Sequence, residues 1–249
     1  MFEGKLKVLN REIPRTLLGT SPFIAAPQFG HRARLYQLDL YNNPENIFKI
    51  IKKSYEMGIT GIQVIPYPPV IEALKEALNA GYEMDIIGTV RPERELEDIK
   101  LLSDLNAISM ILQADITDKM DWNFIGKKLQ IIKDGNAIPG LATHMPYLTT
   151  TRLFGSPVQE MFDIYMVPVN KLGYLMDSDI YGSEERTHLN QLIKKLDKTV
   201  IVKKVLAAGI LQPQEAFDYL KTVEFADVVT LGIASEVEAQ ETFSLLGSQ

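Results

Sequence analysis

The chain has 249 residues, 46% hydrophobic and 23% charged, which is ordinary globular composition with enough length for a large core. Its 26 Lys and Arg against 32 Asp and Glu give a net charge of -6, and no basic run overrides that mean, so neither nucleic acid nor an anionic membrane is an expected partner. There is no cysteine, which excludes disulfides, thiolate catalysis and thiolate metal sites.

The opening, "KLKVLNREIPR", reads as a β-hairpin turning at Asn10–Arg11 and placed to plug one end of the fold built by the rest of the chain. No apolar stretch of signal-peptide length precedes it, and no window approaches the roughly 18 apolar residues of a membrane span. A soluble, cytoplasmic protein is the expectation.

Strand-like runs then alternate with amphipathic ones. The first run, "TLLGTSPF" (16–23), is followed by the longest connection, residues 24–43, which carries His31, Arg32, Arg34, Tyr36 and Tyr41. A connection of this length suits a lid over a ligand; the alternative is a short extra helix or ribbon on the rim. "PENIFKIIKKSYEMG" places Ile47, Ile50, Ile51 and Tyr55 on one helical face. The runs "TGIQVIPY" (60–67), "DIIGTV" (85–90), "AISMILQA" (107–114) and "IPGLATHM" (138–145) come next. Between the last two, Ile125, Leu129 and Ile132 repeat the helical spacing. The remaining runs are "IYMVPVN" (164–170), "TVIVKKVL" (199–206) and "ADVVTLGIA" (226–234), with Leu189, Leu192, Ile193 and Leu196 marking a helix between the first two.

Pro44, Pro69, Pro92, Pro157 and Pro213 fall near first helical positions, and "SPVQ" (156–159) and "SEVE" (235–238) read as capping boxes. No linker divides the chain. Eight apolar strands alternating with helices, at about 30 residues per unit, predict a single α/β domain over 1–249, a (β/α)8 TIM barrel of parallel strands. A doubly wound open sheet is the alternative, but no G-x-G-x-x-G follows the first strand.

Active sites of such barrels sit at the C-terminal ends of the strands. That rule gathers Thr20 and Ser21, Gln63 and Tyr67, Thr89 and Arg91, Gln113 and Asp115, His144, Asn170, Lys203 and Lys204, and Ser235. The candidate catalytic residues are His144, Tyr67 and Asp115, with Gln113, Asn170, Thr89, Arg91 and Lys203 as candidate substrate contacts. Of the adjacent Lys203 and Lys204, alternation along a strand allows only one to point inward. His31, His144 and His188 lack metal-ligand spacing, and no metal is expected; an Asp115–His144 pair is the only metal alternative. The corner "KKVLAAG" and "GIASEVE" offers an anion or cofactor site at Gly209, Gly232 and Ser235, in competition with the carboxylates of Glu236 and Glu238.

Several segments together resemble the aldo/keto reductases, in particular their compact branch. "GLATHMPYLTTTRL" is similar to the fifth strand and helix of that family, "DIYMVPVNKLGYL" to the sixth strand, "VIVKKVLAAGIL" to the seventh and "VTLGIASEVEAQETF" to the eighth. The resemblance implies a barrel and NAD(P)-dependent carbonyl reduction by an Asp–Tyr–Lys–His tetrad. The tetrad positions align here with Gln63, Pro68, Thr89 and Gln113, so none matches; the family's nicotinamide-amide contacts fall near Thr143, His144 and Tyr165. Three readings result. The first is an oxidoreductase-like protein that binds NAD(P) and has a diverged site. The second is a non-redox lyase or isomerase for a small metabolite, phosphorylated or not, with Asp115 and His144 as acid and base and a lysine as electrophile. The third is a ligand-binding barrel without catalysis.

Overall fold

The computed structural model describes residues 2–246. Strands β1 (Lys5–Val8) and β2 (Arg11–Pro14) form an antiparallel hairpin, paired from Lys5 opposite Pro14 to Val8 opposite Arg11. The turn is therefore Leu9–Asn10, one residue earlier than the sequence suggested. Arg11 is held in the ladder, and its guanidinium reaches the carbonyl of Asn136 at 2.9 Å.

Strands β3 (Thr16–Gly19), β4 (Gly61–Val64), β5 (Asp85–Val90), β6 (Ser109–Leu112), β7 (Ile138–Ala142), β8 (Ile164–Pro168), β9 (Thr199–Lys203) and β10 (Val228–Gly232) close a parallel barrel in which β10 returns to β3. Each lies within one of the eight apolar runs. The open-sheet alternative is excluded by this closure.

Side chains of one parity fill the barrel. Leu17, Ile87, Ile111, Ile138, Ile164, Ile201 and Val228 form an interior cluster, and Val8 and Ile13 of the hairpin join it. The hairpin is thus a plug: it covers apolar side chains that an open lower end would expose to water. Strand β7 also shows why its apolar run contains a glycine. A β-carbon at Gly140 would lie 2.9 Å from Ile111 Cγ1 and 3.0 Å from the Ile164 carbonyl oxygen, inside the packed interior.

The helices cover the outside. Those with sequence-marked faces bury them: Ile47, Ile50 and Ile51 on α2 (Pro44–Glu56), Ile125, Leu129 and Ile132 on α6 (Trp122–Asp134), and Leu189, Ile193 and Leu196 on α8 (Ser183–Leu196). The others are α3 (Pro68–Asn79), α4 (Glu95–Asp104), α5 (Ala114–Thr117), α7 (Pro146–Leu153), α9 (Pro213–Leu220) and α10 (Glu236–Ser244). Pro44 and Pro213 begin helices and Pro69 stands second in α3, but Pro92 precedes α4 by three residues. Pro157 lies in turns, and "SPVQ" caps no helix: Ser156 accepts from the Gln159 N–H through its backbone carbonyl, while the Gln159 side chain accepts from Gly155 N–H. The short return from α7 to β8 leaves room only for turns, which bury Val158 and Phe162. The proline that stops β7, Pro146, is what opens α7.

The 24–43 segment is folded onto the rim as a 3-10 turn (Pro27–Phe29), helix α1 (Arg32–Tyr36) and one π turn (Gln37–Tyr41). Phe29 meets Tyr36 edge-on with ring centroids 5.1 Å apart. Among the described residues no helix is long and apolar enough to cross a membrane.

Ile13 is fully buried in the plug. Ile13→Ala is expected to lower stability by about 2–5 kcal/mol, as for other buried Ile truncations. Urea unfolding reads this directly, and a midpoint equal to that of the parent protein would show that the hairpin is not part of the core.

Candidate functional site at the barrel mouth

The C-terminal ends of the strands surround a cavity of about 800 Å³. Its floor is set by strand parity. His144 follows Ala142 and Ile138 on the inward-facing side of β7, and Lys203 follows Ile201 on that of β9. Thr143, of the opposite parity, faces away from the cavity, where its hydroxyl donates to Asp118 Oδ1 at 2.5 Å.

Both lysines reach the cavity, contrary to the alternation rule. Lys203 Nζ lies 3.5 Å and Lys204 Nζ 3.1 Å from the same atom, His144 Nδ1. The cause is in the backbone. Strand β9 ends at Lys203, and Lys204 has φ +60°, a left-handed conformation that L-residues adopt at a cost of roughly 1–2 kcal/mol. The turn swings the second amine back toward the first. Lys204 also donates to the carbonyl of Leu175 at 3.3 Å. Among the described residues neither lysine has a carboxylate within ion-pair distance.

This crowding fixes the charge states. Burial, then the charges of Lys203 and Lys204, hold the imidazole of His144 down at about 3. It is neutral at pH 7. A neutral Nδ1 that accepts from an ammonium places the ring proton on Nε2. Burial and then the Lys204 charge lower Lys203 to about 7, against a smaller upward pull from Asp118 and Asp115. Lys204 is lowered by burial to about 8, with the same two carboxylates opposing.

Asp118 is the main residue that sequence reasoning missed. It follows α5 directly and accepts from the Thr143 hydroxyl, the His144 N–H at 2.8 Å and the Thr149 hydroxyl at 2.8 Å. One carboxylate thus fixes the end of β7 and the start of α7. Its partners lie 25–31 residues further along, so no local motif announces it.

The other expected residues divide into two groups. Gln63, Thr89, Gln113, Asp115 and Tyr67 line the cavity with His144 and Lys203. Gln63 Nε2 donates to Thr89 Oγ1 at 2.6 Å, so this pair satisfies itself below the mouth. Gln113 stands at the N-terminus of α5 and donates to Asp115 Oδ2 at 3.2 Å. Arg91 and Asn170 lie elsewhere. Arg91 makes a bidentate pair with buried Asp98 and stacks over the Tyr67 ring at 4.6 Å. Asn170 is fully buried and braces its own loop through Leu172 and Tyr174. Asp115 and His144 belong to no group of three or more metal-ligating side chains among the described residues.

At the corner between β9 and α10 most polar groups are already engaged. The Ser235 hydroxyl accepts from the Glu238 N–H at 3.1 Å, and Glu238 Oε2 accepts from the Ala234 N–H at 2.8 Å. Glu238 and Glu241 also line this wall of the cavity. The Pro22 ring lies within 3.1 Å of where a β-carbon at Gly232 would stand. Arg32 of the rim helix puts Nη1 2.3 Å from the corresponding point at Gly209. A side chain at 209 would displace that guanidinium.

No family model matches the chain, and no curated protein matches it. Solved structures do. A glycerol dehydrogenase from Gluconobacter oxydans superposes with TM-score 0.67 at 13% identity, over 99% of this chain and 91% of its own. An aldo-keto reductase from Klebsiella pneumoniae, solved in complex with NADPH, gives 0.64 at 12% identity over 99% and 90%. An aldo/keto reductase from Brucella melitensis gives 0.62 at 11% over 97% and 93%. The chain therefore has the aldo-keto reductase barrel fold along its whole length. At these identities the likeness carries the fold and not the chemistry.

The His144 environment has a consequence for acid stability. Its native pKa lies below the ordinary value of 6.5, so the unfolded chain takes up a proton first as pH falls. The resulting stability is complete above about pH 6.5 and declines down to about pH 3, by at most about 1.4 kcal/mol per pH unit. His144→Gln, which keeps a neutral acceptor, is expected to lose less stability between about pH 6.5 and 4.5 than the parent protein. Equal losses in urea unfolding at the two pH values would contradict the neutral imidazole.

Proposed function

We propose that the chain is a small-molecule enzyme of the lyase or isomerase class, acting on carbonyl compounds in the barrel mouth without hydride transfer. The observation that supports this best is the convergence of Lys203 and Lys204 on the neutral ring of His144. An ammonium on Lys204 polarises a carbonyl oxygen set against it and stabilises the negative charge that grows there when a neighbouring proton leaves. Of the carboxylates on the same cavity, Asp115 acts on the charge of Lys203 and is the one placed to take that proton, whereas Glu238 and Glu241 lie on the wall by α10. Its Gln113 contact leaves the other carboxylate oxygen without a bond to Gln113. His144, held near 3, serves as an acceptor that positions the amines rather than as the base at pH 7. Tyr67, Thr89 and Gln63 supply the polar wall. A cytoplasmic location belongs to this reading as its expected setting.

The rival reading is an NAD(P)-dependent reductase, and the Klebsiella pneumoniae structure with NADPH is what favours it. The residues present fit a dinucleotide poorly. The α10 end, where a phosphate would use backbone donors, spends the Ala234 and Glu238 N–H groups on its own cap, and Glu238 and Glu241 add negative charge there. The positions that the family resemblance aligns with the reductase tetrad hold Gln63, Pro68, Thr89 and Gln113, none of which would supply a proton as that chemistry requires.

Three measurements on the purified protein separate the readings. Titration with NADPH by calorimetry is expected to show no saturable binding, and simple aldehydes no NADPH consumption. A panel of small ketones and aldehydes in D2O is expected to contain one whose protons next to the carbonyl exchange faster with protein present. Asp115→Asn should slow that exchange by roughly a hundredfold or more. Robust NADPH-linked reduction, or exchange indifferent to Asp115, would refute the proposal.

A further inference from the structure

The lysine pair is unusual among the charged groups of this chain. Several exposed lysines elsewhere meet carboxylates, as in Lys5–Asp85 at 2.7 Å, Lys171–Glu215 at 2.6 Å and Lys194–Glu224 at 2.7 Å. Lys203 and Lys204 sit deeper, side by side, facing an uncharged acceptor and an open cavity. A partly buried cation with no carboxylate at ion-pair distance is destabilising. A left-handed Lys204 adds to the cost. Neither feature helps the fold. The 3.5 Å contact from Lys203 to His144 is too long to be a strong hydrogen bond that would justify its placement.

We propose that Lys203 is a covalent nucleophile, whose Nζ forms a Schiff base with a small carbonyl compound bearing a carboxylate beside the carbonyl, while the Lys204 ammonium binds that carboxylate. The inference rests on the carbonyl reading above and names its bond-forming step and substrate class, the 2-oxo acids. The amine lone pair attacks the carbonyl carbon, and the C=O pair moves to oxygen, which takes one proton from the attacking nitrogen and a second from solvent. That oxygen then leaves as water, and the nitrogen lone pair closes a protonated C=N bond to Lys203. Nothing is oxidised or reduced. The protonated imine withdraws electrons from the neighbouring carbon more strongly than the original carbonyl does, which is the advantage over polarisation alone.

The two amines have complementary states. Lys203, lowered to about 7, offers a neutral nitrogen in about half the molecules at pH 7, against roughly one in a few thousand for an ordinary lysine. Lys204, at about 8, is mostly cationic there. The titratable groups acting on Lys203 are His144 from the end of β7, Lys204 on its own segment, Asp115 on the cavity wall, and Asp118, whose charge acts from outside the cavity lining. His144 is neutral, the carboxylates raise Lys203 somewhat, and Lys204 lowers it.

Pyruvate with sodium borohydride tests the step on the full chain. Imine reduction leaves a stable secondary amine heavier by pyruvic acid less one oxygen atom, which peptide mapping by mass spectrometry locates. Lys203 is expected to be modified at pH 7.5 at least about tenfold more than any exposed lysine, following its larger neutral fraction. Acetone, which lacks the carboxylate, should label it far less. Lys203→Met should abolish the adduct, with folding checked by circular dichroism. Because a buried lysine variant can fail to fold, the parent protein supplies an independent readout: labelling should rise with pH to a midpoint near 7. Lys204→Met should move that midpoint upward, since the lowering charge is gone.

Labelling of Lys203 no greater than that of exposed lysines, or equal labelling by acetone, would overturn the proposal. If the protein speeds deuterium exchange of the pyruvate methyl group yet no adduct is trapped, the covalent step falls while the carbonyl reading stands. If neither exchange nor trapping occurs with pyruvate, the assignment to 2-oxo acids falls, and the panel of other carbonyl compounds then decides the broader reading.

Discussion

Two lysine amines within 3.5 Å of one imidazole nitrogen constrain the whole mouth of this barrel. Both amines cannot be ordinary ammonium ions at that separation in a partly buried site, because like charges with little water between them repel strongly. The lowest-energy arrangement leaves His144 neutral and lets Lys203 give up its proton easily. The imidazole must then keep its place, since its acceptor nitrogen is what both amines share. Asp118 provides that by binding the His144 N–H and, on either side of it in sequence, the Thr143 and Thr149 hydroxyls. The fold is rigid where the site needs it: β7 and β9 are each hydrogen-bonded on both sides in the closed barrel, and the plug seals the far end.

Most of the fold was legible from the residues. Continuous apolar runs of strand length alternating eight times with helical faces leave few architectures other than a closed parallel barrel, and all eight runs contain a barrel strand. The misreadings are local. "SPVQ" has the residue types of a capping box but no space for a helix behind it, and Pro92 lies ahead of α4 rather than within it. Such errors arise because capping signals and turn signals use the same residues.

The site was legible in membership more than in geometry. His144, Lys203, Gln113, Asp115, Gln63, Thr89 and Tyr67 do meet at one cavity, because strand ends of a barrel converge whatever their sequence. The orientation of Lys204 was not legible, since the two-residue period applies only while the strand lasts, and the backbone turns over at that residue. Arg91 and Asn170 share the strand-end position but are consumed by Asp98 and by a loop, partners that only the fold brings near. The rim segment carries the short extra helix and also lines the cavity through Phe29, Arg32 and Tyr36, and Arg32 lies beside Gly209, the glycine that the sequence offered for an anion corner.

The barrel scaffold is shared with aldo-keto reductases, and the chemistry proposed for it rests on this chain's own strand-end residues. Carbonyl polarisation and imine formation both depend on the electrostatic state of the lysine pair, and that state can be measured without any ligand. Lysine labelled with 13C at the ε carbon, followed by NMR over about pH 5 to 11, reports each amine separately. Two resonances are expected with midpoints near 7 and near 8, the first missing from a Lys203→Met variant. If every lysine of the chain titrates near 10.5, the two amines do not face each other across His144, and the proposed site is not built as described.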